Sequence, residues 1–103
     1  MYKLVISFIL LAFVIACAGT EKAPSGAASL ADGEQIFKKY CIICHGADGK
    51  LGVNGAKDLT VCKLTQEERE MQIKKGKNVM TPFEGILTDA QIKAVASYTT
   101  TLK

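Results

Sequence analysis

The stretch Tyr40–Lys50, YCIICHGADGK, constrains this chain more than any other. A Cys-x-x-Cys pair with a histidine directly behind it places two thiols and an imidazole within about one and a half helical turns. Three things can be held that way: a covalently attached haem, a zinc ion, or the redox-active disulfide of a dithiol enzyme. The rest of the chain discriminates between them.

Zinc in a structural site takes about four Cys or His ligands. The chain has one histidine, His45, so the only countable set is Cys41, Cys44, His45 and Cys62. Cys44 and His45 are adjacent and would have to reach one ion as neighbours, which fits no paired-knuckle spacing. A reactive dithiol wants a strand before it and a helix N-terminus at its first cysteine, where the thiolate is stabilised. Here the cysteines follow a helical pattern and no strand pattern is in sight. Haem attachment satisfies every requirement. Cys41 and Cys44 can each add to one vinyl group, and the same turn carries His45 beneath the iron.

A sixth ligand must then come from methionine, because no second histidine exists. Met1 lies at the start of an export-type segment. Met71 falls inside an amphipathic helical pattern, where packing is its ordinary role. Met80 stands in the apolar loop NVMTPF between Gly76 and Pro82, where a thioether can be aimed at iron. The expected axial pair is therefore His45 and Met80.

Around this motif the pattern is all-α, with three main helices. Leu30 to about Cys41 opens with a Ser29–Asp32 capping box and places Ile36, Phe37, Tyr40 and Cys41 on one face. Gln66 to Lys75 opens with Thr65–Glu68 and closes with Lys74, Lys75 and Gly76, a polarity that suits the helix dipole. Asp89 to about Leu102 opens with Thr88–Gln91 and carries an apolar stripe of Ile92, Val95, Ala96, Thr99 and Leu102. The connection HGADGKLGVNGAKDLTVC has four glycines in its first eleven residues and must turn repeatedly.

The chain has 103 residues, but the folded part is shorter. MYKLVISFILLAFVIAC has a basic n-region and an apolar run from Leu4 to Ile15. That run is short of the ~20 residues a membrane span needs, and it reads as an export signal. Val14-Ile15-Ala16-Cys17 resembles the lipobox of bacterial lipoproteins. The resemblance implies a signal over 1–16 and lipidation at Cys17, and so a membrane anchor. Several acyl chains on one residue hold firmly, at about 0.8 kcal/mol per buried methylene. Residues 17–29 then form a lipidated cysteine and a flexible Ala/Gly/Ser tether. The domain occupies 30–103, and a core that small needs a staple such as a covalent cofactor. Removing Lys3 from 13 basic residues leaves 12 against 10 acidic, a net of +2, which argues against nucleic acid as a partner.

From Leu30 to Lys103 the sequence resembles the small bacterial class I cytochromes c, monohaem electron carriers of the periplasm. Gly33-x-x-x-Phe37 matches the glycine and aromatic of their first helix, and Tyr98 matches their partner on the last. CIICHGADGKLG and GAKDL follow their attachment site and haem loop. MTPF matches their methionine loop with a threonine inserted between methionine and proline, and LTDAQIKAVASYTTTL resembles their final helix. The resemblance implies one haem c and one-electron transfer rather than enzymatic catalysis. It also implies redox partners such as a quinol-oxidising complex and a terminal oxidase or reductase. A haem-based ligand-binding or sensor protein, with a labile sixth ligand, is the alternative.

Two features depart from that pattern. The family often has a proline after the haem motif, beside the carbonyl that accepts the histidine proton. Lys57 stands near that place, which leaves Gly55, Ala56 and Lys57 as candidate acceptors. Cys62 is an extra cysteine, expected to pack as a small buried hydrophobe. Lys50, Lys57, Lys63, Lys74, Lys75 and Lys77 come from the half of the chain expected around the haem. They form either a steering ring for an acidic partner or an ordinary solvated surface.

Overall fold

The computed structural model describes residues 28–103; the expected signal, Cys17 and all but the end of the tether lie outside them. The described chain runs α1 (Leu30–Tyr40), α2 (Ile42–His45), a 3-10 turn (Val53–Gly55), α3 (Gln66–Lys75) and α4 (Asp89–Thr99). It is all-α. The only β features among these residues are single bridges, Lys77 with Met80 and Glu84 with Leu87. No helix among the described residues is long and apolar enough to cross a membrane.

All three expected capping boxes form. Asp32, Glu68 and Gln91 each donate a backbone N–H to the hydroxyl three residues earlier at 3.2 Å. Their side chains return the contact by accepting from the backbone N–H of Ser29 at 2.7 Å, and of Thr65 and Thr88 at 2.8 Å. Each box satisfies donors that a helix start leaves unpaired, and this sets where α1, α3 and α4 begin.

One helix end falls where expected and one falls short. The first helix stops at Tyr40, and Cys41 (φ −108°, ψ −28°) breaks the run before the separate turn α2. The haem motif therefore rides on its own short helix. The last helix stops at Thr99 instead of reaching Leu102. Thr99, Thr100 and Thr101 each donate a hydroxyl to the carbonyl three residues back, at 2.6, 2.6 and 2.7 Å. Three β-branched residues in a row that bond locally compete with helix continuation. The backbone tightens accordingly, with the N–H of Thr100 bonding Ser97 O and that of Thr101 bonding Tyr98 O.

The largest helix contact is α1 on α4, and α3 packs on α4 from the side. The crossing of α1 and α4 is close because Gly33 has no side chain. A Cβ there would collide with the Ala94 carbonyl and come within 3.1 Å of Tyr98 Cβ. One turn on, Phe37 is 1% exposed and meets the Tyr98 ring at 5.3 Å between centroids. Tyr40 reaches the other way, edge-on to Phe83 at 5.8 Å, and so ties α1 to the segment that carries Met80. The buried cluster consists of Phe37, Ile73, Phe83, Leu87, Ile92, Val95 and Ala96. Thr99 is buried beside them, and Leu102 packs against the cluster from beyond the helix end.

Candidate functional site: a haem-binding face

The described residues do not close their own core. Cys41, Ile42, Leu59, Met80 and Leu102 abut the buried cluster but are only partly covered. Ile43 is 74% exposed and Val79 71%, with Leu51 also largely in solvent. A monomeric domain this small does not ordinarily leave so much apolar surface uncovered without a use for it.

Cys41 and Cys44 are both half-buried free thiols separated by one turn. Burial pushes the Cys41 thiol up to about 11. That is the opposite of a dithiol redox centre, whose attacking thiol is shifted down to make thiolate. The zinc alternative also loses its geometry: among the described residues no three Cys, His, Asp or Glu side chains are grouped to hold an ion.

His45 closes α2, and its Nδ1 lies 3.1 Å from the Lys57 carbonyl oxygen. A carbonyl only accepts, so Nδ1 carries the proton and the Nε2 lone pair is left for a ligand. Of the three candidate carbonyls, the structure selects Lys57. The loop that delivers it is well tied. Leu59 N–H donates to Gly49 O at 3.0 Å, and the Asp58 carboxylate accepts from Thr60 Oγ1 and N–H at 2.6 and 2.8 Å. The four glycines of this loop all have positive φ, as repeated turning requires.

Met80 is presented by a turn that begins where α3 ends. Gly76 (φ +67°) caps the helix, and a Cβ on it would strike the Met80 carbonyl and Pro82 N. Met80 N–H closes on Lys77 O at 3.0 Å, and Phe83 and Glu84 then bond back to the carbonyls of Ile73 and Lys74. The Met80 thioether is half-buried, with Gln72 Nε2 3.9 Å from its sulfur. Met71 instead lies 56% exposed on α3.

Several residues sit otherwise than the sequence suggests. Cys62 is half-buried rather than buried, and its backbone rather than its thiol makes the inward contact. Two of the six lysines are paired, Lys74 with Asp89 at 3.0 Å and Lys75 with Glu84 at 2.7 Å. The ring of free cations therefore shrinks to Lys50, Lys57, Lys63 and Lys77, which are exposed and form no ion pair among the described residues. Sequence reasoning missed two functional candidates, Gln72 beside the thioether and the buried Arg69. The available signal for Arg69 was its place four residues before Ile73, on the inward face of an otherwise polar helix.

Two thiols on one turn, an imidazole of fixed tautomer, a half-buried thioether and an uncovered apolar face together fit a covalently held haem. Fold and donor set define the class, a small c-type cytochrome. Residues 28–98 match the family described as cytochrome c oxidase, cbb3-type, subunit III. Cytochrome c6 of a Synechococcus species is 37% identical over 81 residues, covering 73% of this chain and 71% of the relative. Cytochrome c6 of Leptolyngbya boryana is 36% identical over 77 residues, 69% of this chain and 89% of the relative. That of Cyanidioschyzon merolae is 40% identical over 78 residues, 70% and 73%. The chain belongs to this cytochrome c family: it is a monohaem electron carrier with one covalently bound haem c, not an enzyme.

Proposed function

We propose that the chain shuttles single electrons at the outer face of a bacterial membrane, with Cys41 and Cys44 joined to the haem and His45 and Met80 as its axial ligands. The observation that carries this is the His45–Lys57 contact, which occupies Nδ1 and leaves the Nε2 lone pair free beside both thiols in the chain. When bound, the haem supplies the ferric–ferrous couple, and two protein ligands leave its iron no ready place for substrate. The protein's part is to hold and tune. The Lys57 carbonyl fixes the imidazole and raises its basicity. The Gly76–Pro82 turn holds the thioether against the core, and the apolar margin excludes water.

Residues 1–16 act as the export signal and Cys17 as the lipidated anchor, with the segment to Ser29 as tether and 30–103 as the electron-carrying domain. The lipobox-like Val14–Cys17 supports this. A quinol-oxidising complex is the donor, and a terminal oxidase or reductase the acceptor. The oxidase named in the matching family supports the acceptor side. Lys50, Lys57, Lys63 and Lys77 steer the domain to an acidic partner surface.

The test is the absorption spectrum of the haem-loaded mature protein, oxidised and reduced, beside Met80→Ala. Sharp low-spin ferrous bands are expected, with a weak far-red ferric band from sulfur ligation that disappears in the variant. A high-spin wild type that binds carbon monoxide readily would sink the ligand assignment and point to a sensor.

A further inference from the structure

Arg69 is the one guanidinium in the core, and its surroundings are unusual. Only 8% of it is exposed. Nε donates to Leu64 O at 3.1 Å, Nη2 to Cys62 O at 2.8 Å and Nη1 to Thr99 Oγ1 at 2.9 Å. All three acceptors are neutral, and no carboxylate pairs with it among the described residues. Arginine cannot shed its proton in a protein, so this charge is permanent, and among the described residues nothing compensates it. Burying such a charge is expensive, and an apolar side chain of similar volume is commonly as stable or more so. A clamp between the 62–64 segment and α4 could be made without it.

The position explains what the charge can do. Arg69 is one turn before Ile73, which belongs to the buried cluster that Met80 and Cys41 abut. Its partner Thr99 is one turn beyond Val95 and Ala96 of the same cluster. One turn of α3 and one turn of α4 thus join the buried cation to the core that Met80 and Cys41 abut, and in such a setting a charge is felt further than in water.

We propose that Arg69 is a built-in electrostatic bias on the haem, a fixed positive charge that disfavours the ferric state and raises the reduction potential. It acts on the couple through space, not by ligation. Because it is buried, salt screens it far less than it screens surface lysines. The proposal rests on the haem being held as described above.

The experiment is a spectroelectrochemical titration of the haem-loaded wild type, Arg69→Met and Thr99→Val, at low and high salt. Arg69→Met is expected to lower the midpoint potential, with a shift that persists at high salt and an unchanged far-red band. Thr99→Val loosens the clamp but keeps the charge. It is expected to lose stability towards denaturant while its potential stays at the wild-type value. Equal lowering in both variants, no lowering in Arg69→Met, or an altered spectrum in Arg69→Met overturns the proposal. A wild type without the far-red band overturns only the assignment of Met80, because the difference in potential between variants is still read. Should Arg69→Met fail to fold, Arg69→Lys carries the test. A buried lysine loses its proton within roughly pH 6 to 10, so its potential must fall below the wild type's as pH rises through that range. Parallel curves overturn the idea.

Discussion

Gly33→Ala tests the packing on which the site stands. The added Cβ would overlap the Ala94 carbonyl and press on Tyr98 Cβ at 3.1 Å. Both Ala94 atoms it meets are backbone, so no rotamer change relieves the clash; α1 and α4 must separate by roughly 1 Å to restore ordinary contact. Overpacking of this kind costs about 1–3 kcal/mol. Separation also weakens the Phe37–Tyr98 ring pair, a contact of the sort worth about 0.5–1.5 kcal/mol. Against this, alanine in a helix gains about 0.5–1 kcal/mol over glycine. The net is a loss of about 2 kcal/mol. With an m-value of about 2 kcal/mol/M for a small domain in guanidinium chloride, the midpoint should fall by about 1 M. The assay is equilibrium unfolding of the haem-loaded protein followed by far-UV circular dichroism. A variant as stable as the wild type, or stabilised by the helix gain alone, would refute the close crossing of α1 and α4.

Two further outcomes follow from the same structure. Lys57→Pro should be tolerated and raise stability by about 0.4–1 kcal/mol through the unfolded state. Ala56 already has the extended geometry (φ −55°, ψ 130°) that a following proline demands, and the Lys57 N–H donates to no backbone or side-chain acceptor among the described residues. Its carbonyl remains to accept from His45, so an unchanged reduction potential is expected; a shifted potential with lost stability would refute that geometry. Acid should destabilise the domain. Asp32 is held below its ordinary 3.8 by the Ser29 hydroxyl and then the Ser29 backbone N–H, and Asp58 in the same way by Thr60. Glu84 is held below 4.5 chiefly by its hydrogen bond from Lys75. Folded values that are depressed add stability above the unfolded values and lose it as pH falls through the folded ones. The urea midpoint should therefore decline below about pH 4.5, with a shallower decline in Asp32→Asn; equal slopes in the two proteins would contradict the capping contact.

The sequence by itself determined what depends on near neighbours. Ser29–Asp32, Thr65–Glu68 and Thr88–Gln91 start helices because each box closes over three residues, so the partners are adjacent in the chain. The Cys41–His45 spacing likewise needs only one turn to bring two thiols and an imidazole together. Tertiary structure decided what depends on partners far along the chain. The acceptor for His45 is 12 residues away, and a carbonyl at Gly55 or Ala56 would have read the same in the sequence. Arg69 became a buried cation because Thr99, 30 residues on, and the carbonyls of Cys62 and Leu64 converge on it. Met80 rather than Met71 came to rest against the core because Phe83 and Glu84 bond back onto α3 and pull the intervening loop inward. Lys74 and Lys75 left the ring of free cations only when folding brought Asp89 and Glu84 beside them. In each case the side chain is the same in either state, and what differs is which distant group replaces water around it.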